Sequence, residues 1–154
     1  MNNRRRMKRK WQPYTFSTRK VWNADLTMAE FIVTLLKEYK KLNRHGYPGW
    51  GEADTPEKWE ALLDRFLYTF DQILHEYPDS PLQRVFSKME RDHPETLEYT
   101  TFENDDGTYT MKWKHEDIRK EYITDEVRQK DKEYHEHIKE GLQLFAKFFE
   151  DIWD

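Results

Sequence analysis

The stretch TPEKWEALLDRFLYTFDQIL, residues 55–74, decides the fold class. Thr55 stands where a helix N-cap is expected and Pro56 at the first helical position, whose amide needs no intrahelical partner. Asp54 with Glu57 offers a competing cap one residue earlier. Behind the cap, Trp59, Leu62, Leu63, Phe66, Leu67, Phe70, Ile73 and Leu74 recur at helical spacing and form an apolar face too broad for one neighbour to cover. The chain must therefore supply at least two more helices to pack against it.

Those helices are legible on both sides. Upstream, Thr27 and Glu30 have capping-box spacing. Phe31, Leu35, Tyr39 and Leu42 follow as an apolar stripe, widened by Ile32 and Leu36, with Gly46 as the expected stop. Residues 46–54 then form an irregular loop carrying Tyr47 and Trp50. Downstream, Tyr77–Pro78 ends the central helix. Ser80, Pro81 and Gln83 open a short third one bearing Leu82, Val85, Phe86 and Met89, and it ends at His93–Pro94.

Between Leu97 and Trp113 the period shortens. LEYTTF and TYTMKW flank an Asp-Gly turn signal, which predicts an antiparallel hairpin over 97–113. Two strands alone are marginally stable in water, so one face is expected to lie against the helices. The final segment reads as a long helix with an interruption near Ile123-Thr124-Asp125. Val127, Tyr134, Ile138, Leu142, Phe145, Phe149 and Ile152 form its stripe, and Gly141 permits close packing. The expected architecture is mainly α, a bundle of three to four helices with an inserted hairpin.

Charge divides the chain. Residues 1–20 contain Arg4, Arg5, Arg6, Lys8, Arg9, Lys10, Arg19 and Lys20 without an acidic residue, whereas the remainder carries 18 basic against 30 acidic side chains. The expected organisation is a flexible basic arm, 1–20, ahead of a single helical domain, 21–154. Closely spaced cations can displace counterions from a phosphate backbone. Arg4, Arg5, Arg6, Lys8, Arg9 and Lys10, with Trp11 able to stack on an unpaired base, are thus candidate nucleic-acid contacts. A solubilising tail is the alternative reading.

Composition closes several routes. The absence of cysteine excludes disulfides and thiol chemistry. No stretch has the length and apolarity of a spanning helix or a secretory leader, so no membrane contact and a cytoplasmic location are expected. No serine nucleophile signature or phosphate-binding loop is present. His135 and His137, two residues apart, do not face one another on a helix. They read as solvated surface, so no metal or cofactor is expected. One enzymatic alternative remains: Glu57, Glu60 and Asp64, continued by Asp71, place carboxylates along one helix flank. A magnesium-dependent nucleotide pyrophosphohydrolase uses such spacing.

Two stretches, VWNADLTMAEFIVTLLKEYKKLNRHGYP with TPEKWEALLDRFLYTFDQI, and the terminal EGLQLFAKFFEDIWD, resemble a family of small helical proteins encoded mainly by bacteriophages. The likeness falls on Trp22, Asn23, Asp25, Gly46, Tyr47, Pro48, Glu57, Trp59 and residues 141–147, about half the chain. It implies a phage context and no particular activity. In that context a small non-catalytic binding protein is expected, acting on a host protein or nucleotide signal, or assisting nucleic-acid handling through its arm. Trp22, Asn23 and Asp25 with Tyr47 and Trp50 are the candidate recognition edge. Association of copies through the C-terminal helix, as a structural scaffold, is the remaining alternative.

Overall fold

The computed structural model describes residues 17–42 and 46–152. The helices are α1 (Thr18–Trp22), α2 (Ala24–Lys41), α3 (Pro56–Leu74), α4 (Pro81–Asp92), α5 (Glu116–Tyr122) and α6 (Asp125–Lys147). A hairpin of β1 (Tyr99–Glu103) and β2 (Tyr109–Trp113) separates α4 from α5, and short 3-10 turns cover Pro94–Leu97 and Phe149–Asp151.

Six helices among the described residues correct the expected three or four. The surplus is short and local. Ser17 caps a single turn, α1, which Asn23 separates from α2. Ile123 and Thr124 likewise divide α5 from α6, and Thr124 accepts from the Val127 amide at 3.3 Å. The expected start of α2 also moves. Thr27 lies inside the helix and its hydroxyl donates to the Lys20 carbonyl at 3.0 Å, so it ties α1 to α2 and makes no cap. The helix ends at Lys41, before Gly46. Elsewhere the cap chemistry is as read: Thr55 accepts from Lys58 N and Ser80 from Gln83 N, each with Pro following.

α3 is the centre. α2 packs antiparallel along one flank of it and α6 along the other, while α4 braces the N-terminal half of α6. The core joins Leu36 and Tyr39 of α2, Trp59, Leu62, Leu63 and Phe66 of α3, and Phe148 just beyond α6. Ala29, Val33 and Phe70 extend it towards the other end. Phe145 packs edge-on against both Phe66 and Phe70, at 5.5 and 4.7 Å between ring centres.

Gly141 sets how closely α6 approaches. A Cβ at this position would stand 2.0 Å from Thr69 Oγ1, and that hydroxyl is held in place by donating to the Arg65 carbonyl at 2.9 Å. One turn further along α3, the buried Gln72 bridges three elements. Its amide donates to Asp79 at 2.9 Å, and its carbonyl oxygen accepts from the Asp79 amide and from the Tyr134 hydroxyl at 3.1 and 2.7 Å. This satisfied buried amide fixes the α3–α4 turn, where Glu76 and Tyr77 adopt positive φ, against α6. α4 is fixed to α6 in turn by Asp131, which accepts from the Ser80 hydroxyl and from the Leu82 amide.

Gly141→Ala should therefore destabilise the fold by about 1–3 kcal/mol despite the gain in helix propensity, because overpacking outweighs it. Adding Thr69→Ala should restore part of the loss. Trp59→Ala, at a position only 2% exposed, should cost about 3–5 kcal/mol. Urea denaturation of the variants checks all three.

Candidate interaction surfaces

The residues expected to form one recognition edge lie at opposite ends of α2. Asn23 and Asp25 sit at its start and Trp22, 82% exposed, just ahead of them. Tyr47 and Trp50 follow its far end. Eighteen helical residues, about 27 Å, separate the two groups. Trp50 instead closes the core margin: its ring stacks on Phe148 at 4.6 Å, with the Lys147 ammonium 5.3 Å from the ring centre. Lys147 pairs with Glu52, and this hydrogen bond holds the Glu52 carboxyl below the usual range. The loop that carries Tyr47 and Trp50 is thus clamped onto α6, with Gly49 and Gly51 supplying its positive-φ corners.

The carboxylates of the enzymatic alternative do not converge on a common point. Glu60 and Asp64 both pair with Lys40 of α2, Glu60 at 3.4 Å. Asp71 is turned to His75 and Glu57 occupies the exposed first turn of α3. Among the described residues no group of three or more His, Cys, Asp or Glu is placed to hold a metal. His135 lies beside Asp131, and His137 is held below its usual pKa by partial burial and by Arg65. Arg4, Arg5, Arg6, Lys8, Arg9, Lys10 and Trp11 lie outside the described residues. Arg19 and Lys20 belong to α1.

Two surfaces that sequence reasoning assigned to the interior are open. The first is the hairpin. Its register pairs Tyr99 with Trp113, Thr101 with Met111 and Glu103 with Tyr109, which puts these six residues on one face and Thr100, Phe102, Thr110 and Lys112 on the other. Contrary to expectation, neither face lies against the helices: β1 is exposed throughout and β2 everywhere except Trp113. Trp113 anchors the base, with the Arg119 guanidinium 4.1 Å over its ring and Tyr99 edge-on at 5.8 Å. Local bonds supply the remaining support. Asn104 caps the turn through Thr108 and Thr110, and Gly107 takes a φ of 78°. Tyr99, Phe102, Tyr109 and Met111 are all more than half open, Tyr109 at 68%.

The second surface is on α2. Phe31, Leu35 and Leu42, read as the core stripe, are 67%, 50% and 59% exposed. The buried set is Ala29, Val33, Leu36 and Tyr39, one step around the helix. Met28, Phe31 and Leu35 make a second apolar stripe on the side turned away from the α2–α3 seam and towards α6. There Leu142 and Phe149 are also open, and Phe149 packs on Phe145 at 5.8 Å. Ile32 and Phe145, half-buried, both pack on the two parts of the core; Met28 and Leu35 lie one turn from Ile32 on α2, and Leu142 and Phe149 one turn from Phe145. The signal was available in the sequence, since α2 is apolar on more sides than α3 alone can cover.

Comparison of the chain with protein-family models, curated proteins and solved structures returned no match. The geometry is therefore the basis for a functional reading.

Two outcomes are expected here. Magnesium should leave the thermal midpoint unchanged, and Glu60→Ala with Asp64→Ala should cost about 1 kcal/mol, because both carboxylates are exposed although Lys40 is half-buried. Amide exchange should show the hairpin hydrogen bonds opening well before those of α3, because its strands are covered by no other element.

Proposed function

We propose that this protein is a non-catalytic binding protein and that the β1–β2 hairpin is what it presents to a protein partner. The carrying observation is the hairpin's exposure on both faces, with Tyr99, Phe102, Tyr109 and Met111 open. Nothing in the core depends on these side chains. Aromatic residues and Met are enriched at protein interfaces, where a large ring contributes contact area at low entropic cost. Alternation along an antiparallel pair also leaves the outward amides and carbonyls of residues 99, 101 and 103, and of 109 and 111, without a partner strand, so an extended segment could add to either edge. The resemblance to small phage-encoded proteins supports a host protein as that partner, and with it a place in the host cytoplasm. No helix among the described residues is long and apolar enough to cross a membrane.

A second reading rests on charge. The eight cations of residues 1–20 support contact between the arm and a nucleic-acid backbone, while the acidic remainder would repel one. The two readings separate by experiment. Immobilised full-length protein should retain a host protein that the Tyr109→Ser, Met111→Ser variant loses, while that variant keeps its far-UV spectrum and melts within about 1 kcal/mol of the parent. A chain beginning at Ser17 should still retain it. Retention by the hairpin variant would sink the hairpin reading. Arm-dependent binding of short DNA or RNA by fluorescence anisotropy, weakening roughly 10³- to 10⁵-fold between about 50 and 200 mM salt, would establish the second.

A further inference from the structure

The open face between α2 and α6 is separate from the hairpin, and we propose that it is the contact between two copies of this chain. Five large apolar side chains line it: Met28, Phe31 and Leu35 from α2, and Leu142 and Phe149 from α6. Each is between 38% and 67% exposed, so together they leave on the order of 600 Å² of apolar surface open, the upper end of what a lone protein shows. A standard interface takes roughly 800 Å² from each partner, so this apolar surface alone is most of what one needs. Ile32 and Phe145 beside it pack on the core, so an apposed surface would extend a rigid packed layer.

The choice of a second copy rests on charge. Residues 21–154 carry about twelve net negative charges, so two copies repel except where charge is missing. The lining residues are all uncharged. Glu38, which borders the stripe beyond Leu35, is paired with Lys41 at 2.6 Å. A twofold apposition of this face therefore sets Phe, Leu and Met against Phe, Leu and Met and brings no like charges together at its centre. A basic partner would find no carboxylate there to recognise. An isologous contact needs only this self-complementarity.

The test is the mass of the full chain in solution by light scattering and sedimentation, at about 100 µM, where contacts with Kd near 10 µM are mostly formed. The parent is expected at twice the chain mass, and Phe31→Glu and Leu35→Glu at the monomer mass with unchanged far-UV spectra, because both side chains are already exposed within one copy. Lys37→Glu, which adds an acidic side chain on the opposite side of α2, should remain dimeric. A monomeric parent at this concentration overturns the proposal, as does a dimer that survives both glutamates. A dimer lost only in the Tyr109→Ser, Met111→Ser variant would place the contact on the hairpin and also overturn it. Failure here leaves the hairpin's binding role intact, since the two surfaces share no residue.

Discussion

The breadth of the apolar face on α3 constrains everything else. Trp59, Leu62, Leu63, Phe66 and Phe70 are buried, and Leu67, Ile73 and Leu74 are half-buried on their flank. No single antiparallel neighbour can cover an arc that wide. Two helices must flank α3, and α2 and α6 do so. Each buries one side on α3, and among the described residues no further long helix covers what remains. The open face between α2 and α6 follows from that arithmetic of sides and needs no local peculiarity of its own.

The contacts that fix α6 on α3 are of a different kind from those on the α2 side. α2 meets α3 through apolar packing against Trp59, Phe66 and Phe70 and through the pairing of Lys40 with Glu60 and Asp64 at the margin. α6 meets it through a missing Cβ at Gly141 and a buried, hydrogen-bonded amide at Gln72. Close approach and buried polar bonding tolerate few alternatives, so the α3–α6 pair sets the register of the bundle. α4 inherits its place from the same pair through Asp131, and the hairpin is carried beyond it. The hairpin consequently touches the body at its base, where Arg119 lies between Trp113 and Phe86.

Local chemistry was legible in the sequence at several caps and turns, though not at Thr27, whose hydroxyl ties α1 to α2 and caps nothing. Ser80-Pro81 and Thr55-Pro56 open their helices as read, Asp-Gly turns the hairpin, and Gly141 marks a close approach. Relations between distant segments were not. The side of α2 that faces inward depends on where α3 and α6 lie, and Phe31 is as apolar as Leu36, so periodicity alone could not rank the two stripes. The hairpin was expected to be covered because isolated strands are weak; the anchoring of Trp113 by a helical Arg from α5 replaces part of that cover and leaves no pattern to detect. Trp22 and Trp50, expected on one recognition edge, stand a helix length apart.

The open residues bear on function through what they do not contribute. A side chain as exposed as Phe31 or Tyr109 in the folded chain gains little from folding, since its surroundings change little from those in the unfolded state. Serine or lysine at these positions would leave the core as it is and lower the tendency to associate. The stability of α2, α3 and α6 thus resides in one set of residues and the capacity to be covered by something else in another. Because the two sets do not overlap, the proposed contact at either surface would form or dissolve without the body having to refold, so the fold exists before any partner arrives.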